Sequence, residues 1–107
     1  MTLTAQKCKP CEKGTPPLSA EEAGELAKDV PAWTLHEQSI EREFRFSDFR
    51  EAIDFVDRVA DLAEEEGHHP DIHISYSRVR LELSTHKIGG LSQNDFILAA
   101  KIDELGR

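Results

Sequence analysis

The strongest constraint on this fold lies in residues 71–83, where the apolar phase changes once. Ile72, Ile74 and Tyr76 occupy even positions, whereas Val79, Leu81 and Leu83 occupy odd ones. Side chains alternate across a strand with a period of two, so one continuous strand would turn half of these groups to water. A tight reversal at Ser77-Arg78 puts all six on one face. In that register Tyr76 faces Val79, Ile74 faces Leu81 and Ile72 faces Leu83. The outward continuation sets His69 opposite His86. Directly opposed residues have Cβ atoms roughly 4.5–5.5 Å apart, and Pro70 disturbs the end of the ladder, so the register predicts proximity at that end.

Helical periodicity supplies the elements around this hairpin. Ser19-Ala20-Glu21-Glu22 is a capping box, followed by Ala23, Leu26, Ala27 and Val30 at helical spacing until Pro31. Trp33 and Leu35 lead into a strand with Ile40, Phe44 and Phe46 on one face and Glu41, Glu43 and Arg45 on the other. Arg42 breaks that pattern, so it must snorkel or sit at an edge. The longest helix is expected over residues 48–66, with a stripe of Phe49, Ala52, Ile53, Val56, Val59, Ala60 and Ala63. Gly67 terminates it and Pro70 prevents continuation. A last helix opens at Ser92-Gln93-Asn94-Asp95 and carries Phe96, Ile97, Ala99, Ala100, Ile102 and Leu105. The order α-β-β-α-β-β-α predicts an α+β domain over residues 19–107, a four-stranded antiparallel sheet with three helices on one face. Residues 1–18, with Pro10, Gly14, Pro16 and Pro17, read as a flexible tail.

Charge removes several function classes. The 107 residues carry a formal net charge of −8. Phosphate backbones and anionic lipid faces both need a basic surface, so neither nucleic acid nor membrane is an expected partner. Eight acids against two arginines in residues 48–66 place most of the imbalance on the long helix, which disfavours stacking such helices into a tetramer. No apolar run approaches a membrane span, and the opening stretch lacks the apolar core of a secretory signal, so a cytoplasmic protein is expected.

Histidines carry the chemistry. Imidazole exchanges protons near neutral pH, so His68, His69 and His86 gathered at one sheet end suit general acid–base work. A plain polar helix-to-strand loop is the other reading of 67–70. Metal binding competes too, since three histidines at one end can share an ion. However, no carboxylate or thiolate completes a standard zinc set at a recognisable spacing. His69 and His73 are about 13 Å apart along an extended strand, too far to share one ion. Asp95 closes a capping box with Ser92 or orients the His86 ring, or does both. Gly89-Gly90 suits a turn or a close backbone approach to a ligand. Cys8 and Cys11 form one C-x-x-C, open to readings as half of a zinc knuckle, a redox pair or an exposed reduced tail.

Glu64, three residues, His68-His69-Pro70, five residues, Tyr76, nine residues, His86, eight residues and Asp95 form a composite pattern. With Ser84-Thr85-His86, Gly90-Leu91-Ser92, Trp33 and the Phe44-x-Phe46-x-Asp48-Phe49 stretch, the chain resembles the pterin-4a-carbinolamine dehydratases over residues 19–105. The resemblance implies a lyase that dehydrates 4a-hydroxytetrahydropterin to quinonoid dihydropterin. That reaction regenerates the cofactor of aromatic amino-acid hydroxylases, with phenylalanine hydroxylase as the functional partner. It implies His69 and His86 in proton transfer and His68 positioning the pterin. Gly67, Pro70, Ser84, Thr85 and Lys87 would bind substrate, and Glu64, Tyr76 and Asp95 would orient or support. No metal and no organic cofactor is implied. A homodimer is favoured, with a tetramer also known among such proteins. Asp71-Ile72 departs from the acidic-Trp pair of animal forms, and the cysteine tail resembles a bacterial subset. The alternatives are a non-catalytic dimerisation or binding protein on the same fold, and a relative working in molybdopterin metabolism.

Overall fold

The computed structural model describes residues 3–9 and 14–105. Its main elements are α1 (Ala20–Ala27), β1 (Thr34–Leu35), β2 (Ile40–Arg45), α2 (Phe49–Glu66), β3 (Asp71–Ser75), β4 (Arg78–Leu83) and α3 (Gln93–Leu105). The strands form one antiparallel sheet in the order β1-β2-β4-β3. This is the expected α+β architecture. Caps set the helix limits: Ser19 and Glu22 close a capping box on α1, and the Asp48 side chain accepts the Glu51 N–H at the start of α2. α2 ends at Gly67, whose φ of 67° is the left-handed conformation glycine adopts without a Cβ clash.

The core lies between the helices and one sheet face, with Ile40, Phe44, Val79, Leu81 and Leu83 from the strands and Ala52, Phe55 and Val59 from α2. The predicted stripe on α2 is rotated. Ala52, Val59 and Ala63 are buried as expected, yet Phe49 and Ala60 face outward, and Phe55, absent from the expectation, is fully enclosed. The cause is aromatic packing: the Phe55 ring lies 4.7 Å from that of Phe44 and 5.1 Å from that of Phe46. α3 is apolar on more than one face because Leu98 is also buried, and α1, α2 and the turn Leu3–Ala5 all pack against it. Arg42 does snorkel: its guanidinium lies 4.3 Å from the Phe44 ring centroid and donates to Asp103 at 2.6 Å.

The hairpin forms, but two residues out of the expected register. Ile72 pairs with Leu81, Ile74 with Val79 and Ser75 with Arg78, so the reversal sits on Tyr76-Ser77. A slide of two residues preserves the apolar face, so alternation alone does not distinguish the registers. Tyr76 turns at φ 53° and is exposed. The new register removes His69 from its place opposite His86, and β4 gives way to a short 3-10 turn at His86–Ile88.

Residues 3–9, expected as part of a flexible tail, lie along α3 as a strap, with Leu3 and Cys8 in the core cluster. Pro10 and Cys11 are outside the described residues. Gly89 turns at φ 71°, while Gly90 is approached by Pro17 so closely that a Cβ would stand 2.8 Å from it. The close approach predicted for these glycines is therefore made by the chain itself. Among the described residues no helix is long and apolar enough to cross a membrane.

Candidate active site

The C-terminus of α2, the loop to β3, the end of β4 and the start of α3 meet around a pocket of about 420 Å³. Gly67, His68, His69, Ser84, Thr85, His86 and Lys87 line it, so the three histidines do converge despite the changed register. The link is made by the 3-10 turn after β4 in place of a cross-strand pair. His86 also borders a smaller groove of about 250 Å³ on the side of Asp71 and Glu82.

The three rings differ in what holds them. His68 is nearly enclosed, with 13% of its side chain exposed, and its Nε2 lies 2.6 Å from Oδ1 of the fully buried Asp95. A carboxylate accepts hydrogen bonds, so Nε2 carries the proton and Nδ1 of the neutral ring keeps its lone pair. The other Asp95 oxygen accepts from the Thr85 hydroxyl and the Ser92 N–H, each at 2.9 Å. The Ser92 hydroxyl is 2.7 Å from that of Thr85. Asp95 thus supplies its half of the predicted capping box, while the Ser92 hydroxyl turns to Thr85. The expectation that Asp95 orients His86 is corrected: it holds His68.

His69 is 59% exposed, and its Nε2 meets the Glu64 carboxylate at 2.5 Å. The spacing of five residues across the α2 terminus brings them together, and Gly67 makes that corner possible. His86 is 81% exposed, and its nearest acid is Asp71 at 4.0 Å, beyond hydrogen-bond distance. Glu64 and Asp95 accordingly stand behind two of the histidines. Pro70 shapes the loop without lining the pocket, and Tyr76 sits at the opposite end of β3 in the reversal.

Four wall residues were not anticipated: Cys8, Lys9, Glu66 and Asn94. Glu66 is buried and accepts the Cys8 N–H at 2.9 Å and the Lys101 ammonium at 2.8 Å. Burial opposes its charge, but those two donors prevail and hold its carboxyl below the ordinary range. Asn94 clips Lys9 at two points, accepting its N–H at 2.9 Å and donating to its carbonyl at 2.5 Å. The Cys8 thiol donates to the Asn94 carbonyl at 3.6 Å, and burial, with Glu66 beside it, pushes its pKa up to about 12. Cys8 is therefore a buried thiol, contrary to the reading of an exposed tail. A thiol so held is neither a ready nucleophile nor a ready metal ligand. Among the described residues no group of three or more His, Cys, Asp or Glu side chains is arranged to hold a metal ion. An acid at a helix C-terminus, such as Glu66, opposes the helix dipole, and that oddity was the available signal of a buried partner.

Comparison with known proteins bears on the family and the fold. Residues 16–105 match the family model described as Pterin 4 alpha carbinolamine dehydratase. A protein of Methylococcus capsulatus named "Putative pterin-4-alpha-carbinolamine dehydratase" is 54% identical over 106 residues, covering 97% of this chain and 93% of its own. A Rubrobacter xylanophilus protein of the same name is 49% identical over 104 residues, covering 96% and 97%. The crystal structure of a transcriptional coactivator/pterin dehydratase from Brucella melitensis superposes with a TM-score of 0.80 at 30% identity, covering 85% of this chain and 99% of that one. A pterin dehydratase-like protein described as a RuBisCO assembly factor in the alpha-carboxysome shares the fold at a TM-score of 0.58 and 24% identity, covering 69% and 86%. The chain belongs to the pterin 4 alpha carbinolamine dehydratase family.

Proposed function

We propose that this protein dehydrates 4a-hydroxytetrahydropterin to quinonoid dihydropterin by histidine acid–base catalysis. The observation that carries the reading is the convergence of His68, His69 and His86 on one pocket, two of them with a carboxylate at Nε2. Dehydration requires the N5 proton to leave and the C4a hydroxyl to depart as water. His69 and His86 take these transfers, because both rings open to the pocket and to solvent for proton exchange. Glu64 fixes the His69 tautomer, leaving Nδ1 as its basic nitrogen. His68, locked against buried Asp95, positions the pterin ring. Ser84 and the backbone at Lys87 bind its polar edge, Thr85 acts through Asp95, and Gly67 and Pro70 set the loop that brings the histidines in.

The product of this step recycles the cofactor of aromatic amino-acid hydroxylases, with phenylalanine hydroxylase as functional partner. The protein would act as a cytoplasmic homodimer. Exposed Ile74 lies on the edge strand β3 and offers a surface for sheet joining, whereas acid-rich α2 disfavours a tetramer.

Acceleration of the decay of 4a-hydroxypterin absorbance tests the reaction directly. Wild type is expected to exceed the buffer rate, and His86→Ala to lose about 10²- to 10⁴-fold, the usual contribution of a positioned acid or base. A wild-type rate equal to buffer would exclude the enzyme and favour a binding protein on the same fold.

A further inference from the structure

The strap of residues 3–9 reaches the mouth of the histidine pocket, where Cys8 and Lys9 form part of the wall. It is held there by built contacts: Leu3 and Cys8 are buried, and three backbone groups of Cys8 and Lys9 bond the buried side chains of Glu66 and Asn94. The two-point clip on Lys9 fixes its backbone, and the residue is exposed where it borders the pocket. Lys87 lines the same pocket from the turn after β4. Among the described residues the ion-paired lysines are Lys28 and Lys101, so neither Lys9 nor Lys87 is neutralised. Among the described residues the one carboxylate in the wall, Glu66, is committed to Lys101 and the Cys8 N–H. Among the described residues, a chain of net charge −8 thus carries two lysines without an ion pair at its reaction pocket.

A pterin ring is formally neutral and gives these cations nothing to pair with. Resting on the dehydratase reading above, we infer that the strap is a specificity element and that Lys9, with Lys87, binds an anionic group on the substrate's side chain. The class of substrate is a pterin carbinolamine whose side chain bears a phosphate or a carboxylate. Lys9 touches no reacting atom in this account; it selects and orients the side chain. The contact is open to solvent, so its contribution is modest and screened by salt.

The test compares kcat/KM for carbinolamines sharing one ring and differing in side chain: a neutral dihydroxypropyl, a phosphate-bearing and a glutamate-bearing form. Wild type is expected to favour an anionic form about fivefold at low ionic strength, mainly through KM, with the preference shrinking in high salt. The phosphate and glutamate arms tell which anion the lysines take. Lys9→Gln is expected to abolish the preference, Lys9→Glu to reverse it and Lys9→Arg to retain it, a series that a merely structural strap would not produce. Equal kcat/KM for all forms in wild type, or a preference intact in Lys9→Gln, overturns the inference. Should no carbinolamine be turned over, the dehydratase reading fails. Fluorescence titration of the corresponding oxidised pterins then still decides the role of Lys9 by the same comparison.

Discussion

His68–Asp95 and His69–Glu64 are the same chemical pair in neighbouring positions, yet they lie in opposite environments. Asp95 is completely buried and both of its oxygens are occupied, by His68, Thr85 and Ser92. Glu64 is 78% exposed on its side chain and the ring it meets is open to water. Water offers Glu64 an alternative for every contact it makes, whereas Asp95 has none. The difference teaches that one pair is architecture and the other is adjustment. The buried carboxylate ties the α2–β3 loop, the turn after β4 and the start of α3 to one point. The exposed carboxylate sets only a ring orientation.

The largest expected effect follows from removing the buried member. Asp95→Ala strands the Thr85 hydroxyl, the Ser92 N–H and the His68 ring in a dry site, and is expected to cost about 3 kcal/mol in urea unfolding. Asp95→Asn keeps an acceptor for Thr85 and Ser92 but offers His68 a donor, which forces the opposite tautomer. It is therefore expected to cost less stability than the alanine variant while still lowering kcat/KM. Equal stability losses for the two variants would show that charge, and not hydrogen bonding, is what the buried site requires.

The strap supplies a pH-dependent test of intermediate size. The Glu66 carboxyl is depressed in the folded state, so its contribution is full above the ordinary value of 4.5 and is lost as pH falls through the depressed one. The Cys8 thiol is raised from 9.0 to about 12, so its contribution is full below 9.0 and is lost as pH rises toward 12. Strap protection, read from amide hydrogen exchange at Cys8 and Lys9, is expected to be greatest between about pH 5 and 9. Glu66→Gln should flatten the acid side alone. An unchanged acid limb in that variant would assign the effect to another group.

How much of this was legible beforehand follows from what each feature writes into the chain. The starts of α1 and α2 and the end of α2 were plain because Ser19, Asp48 and Gly67 are local devices whose partners lie within a turn, whereas α1 ends at Ala27, short of the expected stop at Pro31. The hairpin was plain as a phase change, but its register was not, since a slide of two leaves Ile72 and Ile74 on the same face. Tyr76-Ser77 also lacks the residues that announce a turn with positive φ. The histidine cluster survived the wrong register because three chain segments, and not one ladder, bring it together. The partner of Asp95 was misassigned to His86, the nearer histidine in sequence. The strap was invisible: Leu3 and Cys8 are isolated apolar residues among prolines and lysines, and their burial depends on surfaces created by the rest of the fold. Phe55 escaped because α2 carries more apolar positions than one face can bury, and Phe44 on β2 with Phe46 just past its end decided among them.

The smallest expected effect falls on the exposed pair. Glu64→Gln removes a charge that solvent already screens, so its cost in unfolding is expected to lie between about 0 and 1 kcal/mol. Its effect on turnover should nonetheless exceed its effect on stability. Glutamine can meet Nε2 as donor or as acceptor, so it no longer dictates which nitrogen of His69 is basic. The expected signature is a fall in kcat with KM nearly constant, because the ring still occupies the pocket wall. A stability loss matching that of Asp95→Ala would erase the distinction between the two pairs and make Glu64 part of the framework. A rise in KM with kcat constant would instead make His69 a binding group and leave proton transfer to His86.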